Sequence, residues 1–318
     1  MLISIIMPTC NQGAFIEKAI KSVLLQGDVQ YELLIYDACS DDNTSEILSK
    51  YSDHERIKKK KKKDDGQIDA LNRGLDNAKG EVLAWLNSDD LLLPNALESI
   101  LNALSSDQDT DFVYGDALEI GYDGAVYYPN VFTENPVAER YLFSHNFICQ
   151  PTCFFKRAVW DAAKPLDADR AWTFDYTFFA SFFSLGLKGQ RLDRFIAANR
   201  QYPETKTNQG LFKRYLEQMR MILSRAGKPI WNRKALAVYS LEAIIKSLES
   251  WNSSDEASFN SLPKAILPKL HEWFLKLVNP REKAAIIARF QNWQTTEGWA
   301  NIDEWLEANT SMLNNETR

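Results

Sequence analysis

The chain has 318 residues, of which 45% are hydrophobic and 25% are charged, and its formal net charge at pH 7 is −6. This balance excludes a disordered chain, and the length accommodates one large domain and a smaller one. The four cysteines are too scattered for a disulfide framework, and neither they nor the three histidines have the spacing of zinc ligands. No apolar run reaches the ~18 residues that span a bilayer, and the amino terminus has no signal-peptide layout, so we expect a cytoplasmic protein.

Two strand–helix units are predicted at the start of the chain. Residues 2–7 are apolar except for Ser4 and predict a strand, and residues 14–24 carry apolar side chains at helical spacing. The second unit has a strand at 31–37 and a helix at 45–51. Because strands and helices keep alternating across residues 1–104, we predict an α/β fold with a mostly parallel sheet and helices on both faces.

Asp37 stands at the carboxyl end of the second predicted strand. A carboxylate at such a strand end can accept hydrogen bonds from a nucleotide base or ribose. Asp42 and Thr44, further along the same loop, are also suited to cap the following helix.

Residues 58–63 are six consecutive lysines. A run of like charge is typical of a solvated edge, and we favour that interpretation. The alternative is a module that binds nucleic acid or an anionic membrane. An acidic chain without aromatic residues between its lysines lacks the pattern of a nucleic-acid binder, so no nucleic-acid partner is expected.

The apolar stretch 82–86 breaks abruptly into Asn87, Asp89 and Asp90. We predict a buried strand over residues 82–90 that brings charge to its own end. Two neighbouring carboxylates are suited to Mg²⁺ or Mn²⁺, which take oxygen ligands and complete their shells with phosphate and water. The alternative is that Asp90 caps a helix that starts in residues 91–97.

Further strands are predicted at residues 112–119 and 125–128. Residues 147–157 predict a buried strand that brings Gln150 to a site. Asp175 lies near the first turn of an apolar helix that starts at residue 174. A carboxylate at this point is also explained by the favourable interaction of negative charge with a helix start.

The carboxy-terminal third differs from the rest in charge and pattern. Residues 205–318 contain 16 Lys and Arg against 12 Asp and Glu, and six of the nine tryptophans. Helices are predicted at 212–223, 235–248, 266–277 and 283–290, with the tryptophans in a core or a domain contact. The alternative is attachment to the inner face of a membrane, since residues 205–250 have nine basic against three acidic side chains.

The order and spacing of these segments resemble the family 2 glycosyltransferases, which have the nucleotide-sugar fold called GT-A. The resemblance runs from about residue 3 to residue 207 and implies a GT-A domain at 1–207 and a helical domain at 208–318. The segments that carry it are Pro-Thr-Cys-Asn at 8–11, Asp-x-x-Ser-x-Asp-x-Thr at 37–44, Asp-Asp-Gly-Gln at 64–67, Leu-Asn-Ser-Asp-Asp at 86–90, Gln-Pro-Thr at 150–152 and Arg-x-x-x-x-Thr-Lys-Thr at 200–207.

The resemblance implies an inverting transfer of a sugar from a nucleotide-diphosphate donor to the hydroxyl group of a saccharide or lipid-linked acceptor, in bacterial polysaccharide or glycoconjugate synthesis. By resemblance, Asp175 is the general base, and Asp89 with Asp90 carries a divalent metal on the donor diphosphate. Pro8, Thr9, Asp37 and Asp64 or Asp65 are expected to hold the base and ribose, and Asp69, Asn72 and Arg73 to line the sugar-phosphate side. Asn11, Gln67, Asn87 and Gln150 complete the expected donor-binding set.

Three positions depart from the family pattern. Asn87 replaces the first carboxylate of the metal motif, Tyr202 stands where a histidine is frequent, and Ser181 stands where an arginine is common. Asn87 and Tyr202 favour an alternative in which the chain binds a nucleotide sugar or a partner without turnover. An anionic membrane surface and a second copy of the chain are further candidate partners.

Overall fold

The computed structural model of the protein describes residues 1–130, 146–206, 213–214, 216–218, 220–221, 288, 293 and 301–316. The strands are β1 (Ile3–Thr9), β2 (Tyr31–Asp37), β3 (Ile57–Lys61), β4 (Val82–Trp85), β5 (Leu91–Leu92), β6 (Phe112–Ile120), β7 (Val126–Asn130), β8 (Phe154–Lys156) and β9 (Gly189–Arg200). The helices are α1 (Ile16–Leu24), α2 (Thr44–Ser49), α3 (Gln67–Asn77), α4 (Ala96–Ser106), α5 (Arg157–Ala163), α6 (Phe174–Ser184) and α7 (Ile302–Glu316).

One sheet contains all nine of these strands, in the order β3-β2-β1-β4-β8-β6-β9-β5, with β7 beside β6. Strands β1 to β4 are parallel to their neighbours within this group, and all seven residues of β1 are buried at its centre. Their carboxyl ends therefore meet at one edge of the sheet, and Thr9 lies opposite Asp37 there. The α/β class is confirmed.

The second half of the sheet is mixed. Strand β8 runs antiparallel to both β4 and β6, and β5 and β7 are antiparallel to β9 and β6, whereas β6 and β9 are parallel to each other. The end of β9 is thereby brought beside the segment that follows β4, because β5 pairs with residues 197 and 198 of β9.

Helices cover both faces of the sheet. Apolar side chains of α1, α2 and α4 pack on one face, and those of α3, α5 and α6 pack on the other. On the second face, Trp85 of β4 stacks on Phe179 of α6 with ring centroids 5.5 Å apart. This packing fixes the amino-terminal turn of α6 relative to the end of β4.

The strand predicted over residues 82–90 ends at Trp85, and the short strand β5 follows at Leu91–Leu92. Helix α4 begins only at Ala96, so the interpretation of Asp90 as a helix cap is wrong. The cause is that β5 pairs with β9, which keeps the chain extended, while the Asp90 carboxylate accepts a 2.9 Å hydrogen bond from the main-chain N–H of Arg200.

The strand predicted over residues 147–157 is also shorter than expected. Residues Gln150–Thr152 form a 3₁₀ turn, and the strand is confined to Phe154–Lys156. Pro151 has no N–H group to give to a strand ladder, which explains why the extended chain starts after it. The helix predicted to start at residue 174 is confirmed, and Asp175 lies in its first turn.

The lysine run forms part of the edge strand β3, which sequence patterning did not predict as a strand. Five of the six lysines are exposed, and Lys58 forms a 2.5 Å ion pair with Glu32 of β2. The solvated-edge interpretation is confirmed. Lysines on an edge strand also oppose pairing with a second chain.

Helix α7 packs on the sheet formed by the first two hundred residues. Ile302 and Leu306 are buried with Trp293 in an apolar cluster that includes Leu118 of β6 and Phe195 of β9. The predicted domain boundary after residue 207 is not tested by this contact and stays a prediction.

The helices predicted at 235–248 and 266–277 lie outside the described residues. Of the helix predicted at 283–290 the structure describes only residue 288, and of that predicted at 212–223 it describes residues 213–214, 216–218 and 220–221. Among the helices that the structure does describe, none is long and apolar enough to cross a membrane.

Candidate active site

The predicted site residues gather at the edge where β1 to β4 end. The end of β1 and the loop after it carry Pro8, Thr9 and Asn11, β2 ends at Asp37, and β3 is followed by Asp64 and Asp65. Helix α3 carries Gln67, Asp69, Asn72 and Arg73, and β4 is followed by Asn87, Asp89 and Asp90. Gln150 lies in the 3₁₀ turn, and Asp175 lies in the first turn of α6. Parallel strands in α/β proteins bind their ligands at this edge.

Asp37 is buried and held by the loop that follows it. Its Oδ1 accepts hydrogen bonds from the main-chain N–H and the hydroxyl of Ser40, at 2.9 and 2.6 Å. Ser40 in turn accepts a 2.9 Å hydrogen bond from the main chain of Asn11, whose side-chain oxygen accepts one from Asp41. The loops after β1 and β2 are therefore joined into one rigid edge.

The hydroxyl oxygen of Thr9 is buried and has no hydrogen-bond partner among the described residues. A buried polar atom without a partner is uncommon in folded proteins and is consistent with a ligand contact. Beside it, partial desolvation and the negative charges of Asp37 and Asp64 raise the pKa of the Cys10 thiol. This end of the edge is therefore acidic.

Arg73 joins the loop after β3 to helix α3. Its Nη2 lies 3.1 Å from Oδ2 of Asp69 and 3.7 Å from Oδ2 of Asp64, and the guanidinium group lies 5.8 Å from the ring centre of Tyr36. Asp65 is exposed next to this cluster.

Asn72, which is predicted to contact the donor, forms its hydrogen bonds with the main chain of Leu166. Its Nδ2 donates to the carbonyl of Leu166 at 3.1 Å, and its Oδ1 accepts from the N–H of Leu166 at 2.8 Å. The side chain thus fastens α3 to the segment that precedes α6. Its contact with a donor stays a prediction.

Asn87 is the centre of a side-chain network. Its Nδ2 donates to Oδ2 of Asp90 and to Oε1 of Gln150, both at 3.1 Å, and its Oδ1 accepts from Nε2 of Gln67 at 2.8 Å. Gln150 also donates to the carbonyl of Trp85 at 2.7 Å. An aspartate at position 87 could make neither donation, so the amide matches its neighbours better than the carboxylate that the family pattern has there.

Asp89 and Asp90 differ in their surroundings. Asp90 is 2% exposed, and burial together with the charge of Asp89 raises its pKa well above the ordinary value. Asp89 is partly exposed; burial also raises its pKa, and a 2.9 Å hydrogen bond from the hydroxyl of Tyr202 to its Oδ2 opposes this shift. Asp89 is therefore the carboxylate that a ligand can reach, and Asp90 is part of the support beneath it.

These two residues are the candidate metal ligands. Within the described part of the chain, no group of three or more His, Cys, Asp or Glu side chains is arranged to hold a metal ion. One accessible carboxylate fits Mg²⁺ or Mn²⁺ bound largely through phosphate oxygens and water. One accessible carboxylate does not fit a site in which protein side chains supply all the metal ligands.

A cavity of about 270 Å³ adjoins the Asn87 network. Among the predicted residues, Gln67, Asn87, Gln150 and Asp175 line it. The lining residues that sequence reasoning did not assign include Glu119, Trp172, Asn199, Gln201, Lys206 and Arg214.

Asp175 faces this cavity from the first turn of α6. Its Oδ1 accepts a 2.7 Å hydrogen bond from the N–H of Tyr176. Burial raises the pKa of Asp175, and this hydrogen bond and the charges of Arg214 and Lys206 oppose the shift. A carboxylate with a raised pKa is a stronger base than an exposed one, so Asp175 is suited to accept a proton from a bound hydroxyl group.

Lys206 and Arg214 bring positive charge to the same cavity. The Lys206 ammonium group donates to Oε1 of Gln67 at 3.3 Å and lies 5.7 Å from the ring centre of Trp172. Burial lowers the pKa of Lys206, while Asp175 and Glu217 oppose the shift. The cavity therefore carries two cations as well as the carboxylates of Asp175 and Glu119.

The lining of the cavity also includes a buried carboxylate that lies between two amides. Oε2 of Glu119 accepts hydrogen bonds from Nδ2 of Asn199 and Nε2 of Gln201, both at 2.9 Å. Glu119 was visible as the end of a predicted strand, but Asn199 and Gln201 lie at the end of β9, which was not predicted. Lys206 lies within a matched motif, and Trp172 had no sequence signal.

The chain is similar to several glycosyltransferases. It is 38% identical over 117 residues to poly(ribitol-phosphate) beta-N-acetylglucosaminyltransferase TarP of Staphylococcus aureus, over 36% of each chain. It is 29% identical over 171 residues to a PGL/p-HBAD biosynthesis glycosyltransferase of Mycobacterium tuberculosis, which is 52% of this chain and 62% of that protein. Among such relatives, the matched region spans between 18% and 62% of the relative's own length.

Two solved structures have the same fold. S. aureus TarS in complex with UDP is 18% identical, with a TM-score of 0.54 over 99% of this chain and 92% of that one. The mannosyltransferase PcManGT from Pyrobaculum calidifontis, in complex with GDP-Man and Mn²⁺, is 14% identical, with a TM-score of 0.57 over 93% and 88%. The GT-A fold expected from the sequence is thereby confirmed.

The model of the family described as "Glycosyl transferase family 2" matches residues 4–162, which include β1 to β4 and the network around Asn87. The chain therefore belongs to glycosyl transferase family 2.

Proposed function

We propose that this chain transfers a sugar from a nucleotide-diphosphate donor to the hydroxyl group of an acceptor, in the synthesis of a bacterial cell-surface glycan. The observation that carries the proposal is that Asn87, Lys206, Arg214 and Asp175 line one cavity together. This cavity joins the strand-end edge, where Asp89 lies, to a carboxylate of raised pKa. The names of the relatives support this reaction class and the cell-surface role.

The residues divide into a donor side and a transfer side. Asp37 and Thr9 are suited to the ribose and base, since one is held rigidly at the end of β2 and the other has a buried hydroxyl without a described partner. Asp89 would hold a divalent metal, which would supply Lewis-acid stabilisation to the donor diphosphate. Lys206 and Arg214 would add positive charge where the leaving group departs.

Asp175 would act as the general base. As the acceptor oxygen forms its bond to the anomeric carbon, the bond from that carbon to the diphosphate breaks, and the acceptor proton passes to the Asp175 carboxylate. Since one displacement forms and breaks these bonds, the anomeric centre is inverted. General-base assistance of this kind contributes about 10²–10⁴-fold.

A second candidate function is binding of a nucleotide sugar without turnover. The observation that favours it is the hydrogen bond from Tyr202 to Asp89, because the tyrosine occupies a carboxylate oxygen that a metal would use.

Thermal unfolding with UDP, GDP and their sugar conjugates, each with and without Mn²⁺, tests the proposal. A ligand present at a hundred times its Kd stabilises by about 2.7 kcal/mol, which is readily measured. A stabilising donor is then incubated with the enzyme in water, and release of nucleoside diphosphate is followed. Binding with release supports a transferase, binding without release or transfer supports the second candidate, and no binding by any nucleotide contradicts both.

We also propose a cytoplasmic protein that attaches to the inner face of the membrane. The support is the excess of basic residues in 205–250, most of which lie outside the described residues. Sedimentation with anionic liposomes at low salt, but not with neutral ones, is the expected result. Equal sedimentation with both would contradict it.

A further inference from the structure

Arg200, at the end of β9, holds the turn that carries Asp89 and Asp90. Its main-chain N–H donates to Oδ1 of Asp90 at 2.9 Å, and its Nε donates to the carbonyl oxygen of Asp89 at 3.0 Å. The side chain is fully buried. Arg200 therefore holds this turn through two hydrogen bonds.

The other side of the same guanidinium group contacts α7. Its Nη2 donates to Oδ1 of Asp303 at 2.7 Å, and its Nη1 donates to Oδ2 at 3.2 Å. Lys18 of α1 also contacts Oδ2 of Asp303, at 2.8 Å. Among the described residues, Asp303 is the carboxylate that forms an ion pair with Arg200.

The position of Asp303 is itself fixed by the start of α7. Oδ1 of Asn301 accepts hydrogen bonds from the N–H groups of Asp303 and Glu304, at 2.9 and 3.2 Å, and so caps the helix. The N–H of Ile302 donates to the carbonyl of Gly124 at 3.0 Å. Gly124 has a φ of +83° and a Cβ there would collide with the Asp303 carboxylate, so the loop after β6 is shaped to admit this side chain.

A buried arginine depends on its charged partner. Two parallel N–H donations to one carboxylate fix the plane of the guanidinium group as well as its position. Without that carboxylate the charge stays buried. The Asp89 carboxylate, which already interacts electrostatically with Arg200, would then draw the guanidinium group toward the turn, and the turn would lose its shape.

We infer that Asp303 is a positioning residue of the donor site: through Arg200 it sets the geometry of the turn at Asp89 and Asp90, so that binding of a nucleoside diphosphate with its metal depends on the docking of α7. This inference rests on the proposed function, since it takes Asp89 as the residue that meets the donor. It assigns α7 a part in a site whose other proposed residues lie between positions 8 and 214.

The test compares Asp303→Asn with Glu304→Gln. The first removes the charge that pairs with Arg200 and keeps an acceptor oxygen; the second removes the charge of the next residue, which is exposed on the same turn of α7. Calorimetry measures the affinity of each variant for UDP and for GDP at saturating Mn²⁺, and the Mn²⁺ concentration that gives half-maximal binding. Thermal unfolding without ligand is measured on the same samples.

We expect Asp303→Asn to weaken nucleoside-diphosphate binding at least tenfold, with a higher Mn²⁺ requirement, and Glu304→Gln to change binding less than twofold. Asp303→Glu, which restores the charge, should recover part of the affinity. If Asp303→Asn lowers the unfolding temperature but binds as the wild type does, Asp303 has only a structural role and the inference is wrong. If the wild type binds neither nucleotide, the proposed function fails instead.

A measurement on the wild type covers the case in which Asp303→Asn does not fold. Coupling between two sites is reciprocal, so nucleoside diphosphate with Mn²⁺ should slow hydrogen exchange of the amides of residues 301–309. Exchange there that is unchanged by a ligand that protects the turn at Asp89 would overturn the inference.

Discussion

The hydroxyl group of Tyr202 donates a 2.9 Å hydrogen bond to Oδ2 of Asp89 and so joins the segment after β9 to the turn after β4. Tyr202 is 8% exposed and its ring lies 5.0 Å from that of Phe15. Burial and the charge of Asp89 raise the pKa of Tyr202, so the hydroxyl stays a donor at neutral pH. A metal at Asp89 has to share that oxygen with this proton.

Replacing Tyr202 by histidine should lower the Mn²⁺ concentration needed for half-maximal nucleotide binding, by about tenfold, which corresponds to ~1.4 kcal/mol. A neutral imidazole can ligate the metal, whereas the phenol can only compete with it. Tyr202→Phe is the control, because it removes the hydroxyl and adds no ligand. A Tyr202→His variant with the wild-type Mn²⁺ requirement would show that the metal does not approach Asp89 from this side.

Asp175→Asn should bind donor and metal normally and transfer sugar at least ~10²-fold more slowly. The substitution keeps the acceptor oxygen for the N–H of Tyr176 and removes the basic carboxylate. Asp169→Asn, an exposed position in the segment before α6, is the matched control and should transfer at the wild-type rate. Wild-type turnover by Asp175→Asn, at normal nucleotide affinity, would leave Asp175 only the role of stabilising a helix start.

The raised pKa of Asp175 predicts a pH dependence of both rate and stability. The rate, as kcat/KM, should fall as the pH drops through this pKa, because a protonated carboxyl group cannot accept a proton. For stability, a carboxyl whose pKa is higher in the folded state stabilises the fold when it is protonated, and this contribution is lost as the pH rises through the folded-state pKa. Asp175→Asn should therefore be more stable than the wild type at neutral pH, and the difference should shrink in acid. Chemical unfolding at several pH values measures it, and a constant difference would contradict the shift.

Glu217 holds the segment that carries Arg214 against the chain just before α6. Its Oε2 accepts hydrogen bonds from the N–H of Trp172 at 3.0 Å and the hydroxyl of Thr173 at 3.1 Å, just before α6 begins. Glu217→Ala should raise the KM for the donor several-fold, because Trp172 and Thr173, which line the cavity, would be held less firmly. Leu216→Ala, at the neighbouring and exposed position, should change KM little. Equal effects of the two substitutions would show that the cavity does not depend on this contact.

Local patterning predicted the edge that carries the donor side, and it failed where distant segments decide the structure. Asp37 could be placed because a strand's end follows from its own apolar run, and the turn at Asp89 could be placed for the same reason. Strand β5 could not, since two leucines become a strand only through pairing with β9. The wall made by Glu119 and Gln201 depends on the parallel pairing of β6 and β9, which no local pattern encodes.

The role of Asp303 is also invisible to local patterning. An aspartate in the first turn of a helix indicates a favourable charge at a helix terminus. Its ion pair with Arg200 joins residues 103 positions apart, and only the packing of α7 brings them together.

The departure at Asn87 yields the last prediction, because the family pattern and the structure disagree about what position 87 requires. Restoring the carboxylate with Asn87→Asp adds a charge that the pattern associates with donor binding. In this chain, however, the Asn87 amide donates to both Asp90 and Gln150. A carboxylate would lose both donations and would add a negative charge beside Asp90, whose pKa is already raised by burial and by Asp89.

We therefore expect Asn87→Asp to lower the free energy of unfolding by about 1–3 kcal/mol and not to improve transfer, since each buried acceptor left without a donor costs on that order. The double variant Asn87→Asp with Asp90→Asn returns a donor to the pair and should recover part of the loss, with the hydrogen bond between the two side chains reversed. Urea unfolding of both variants measures the difference. A single variant that is as stable as the wild type and transfers faster would mean that the carboxylate of the family pattern suits this turn after all.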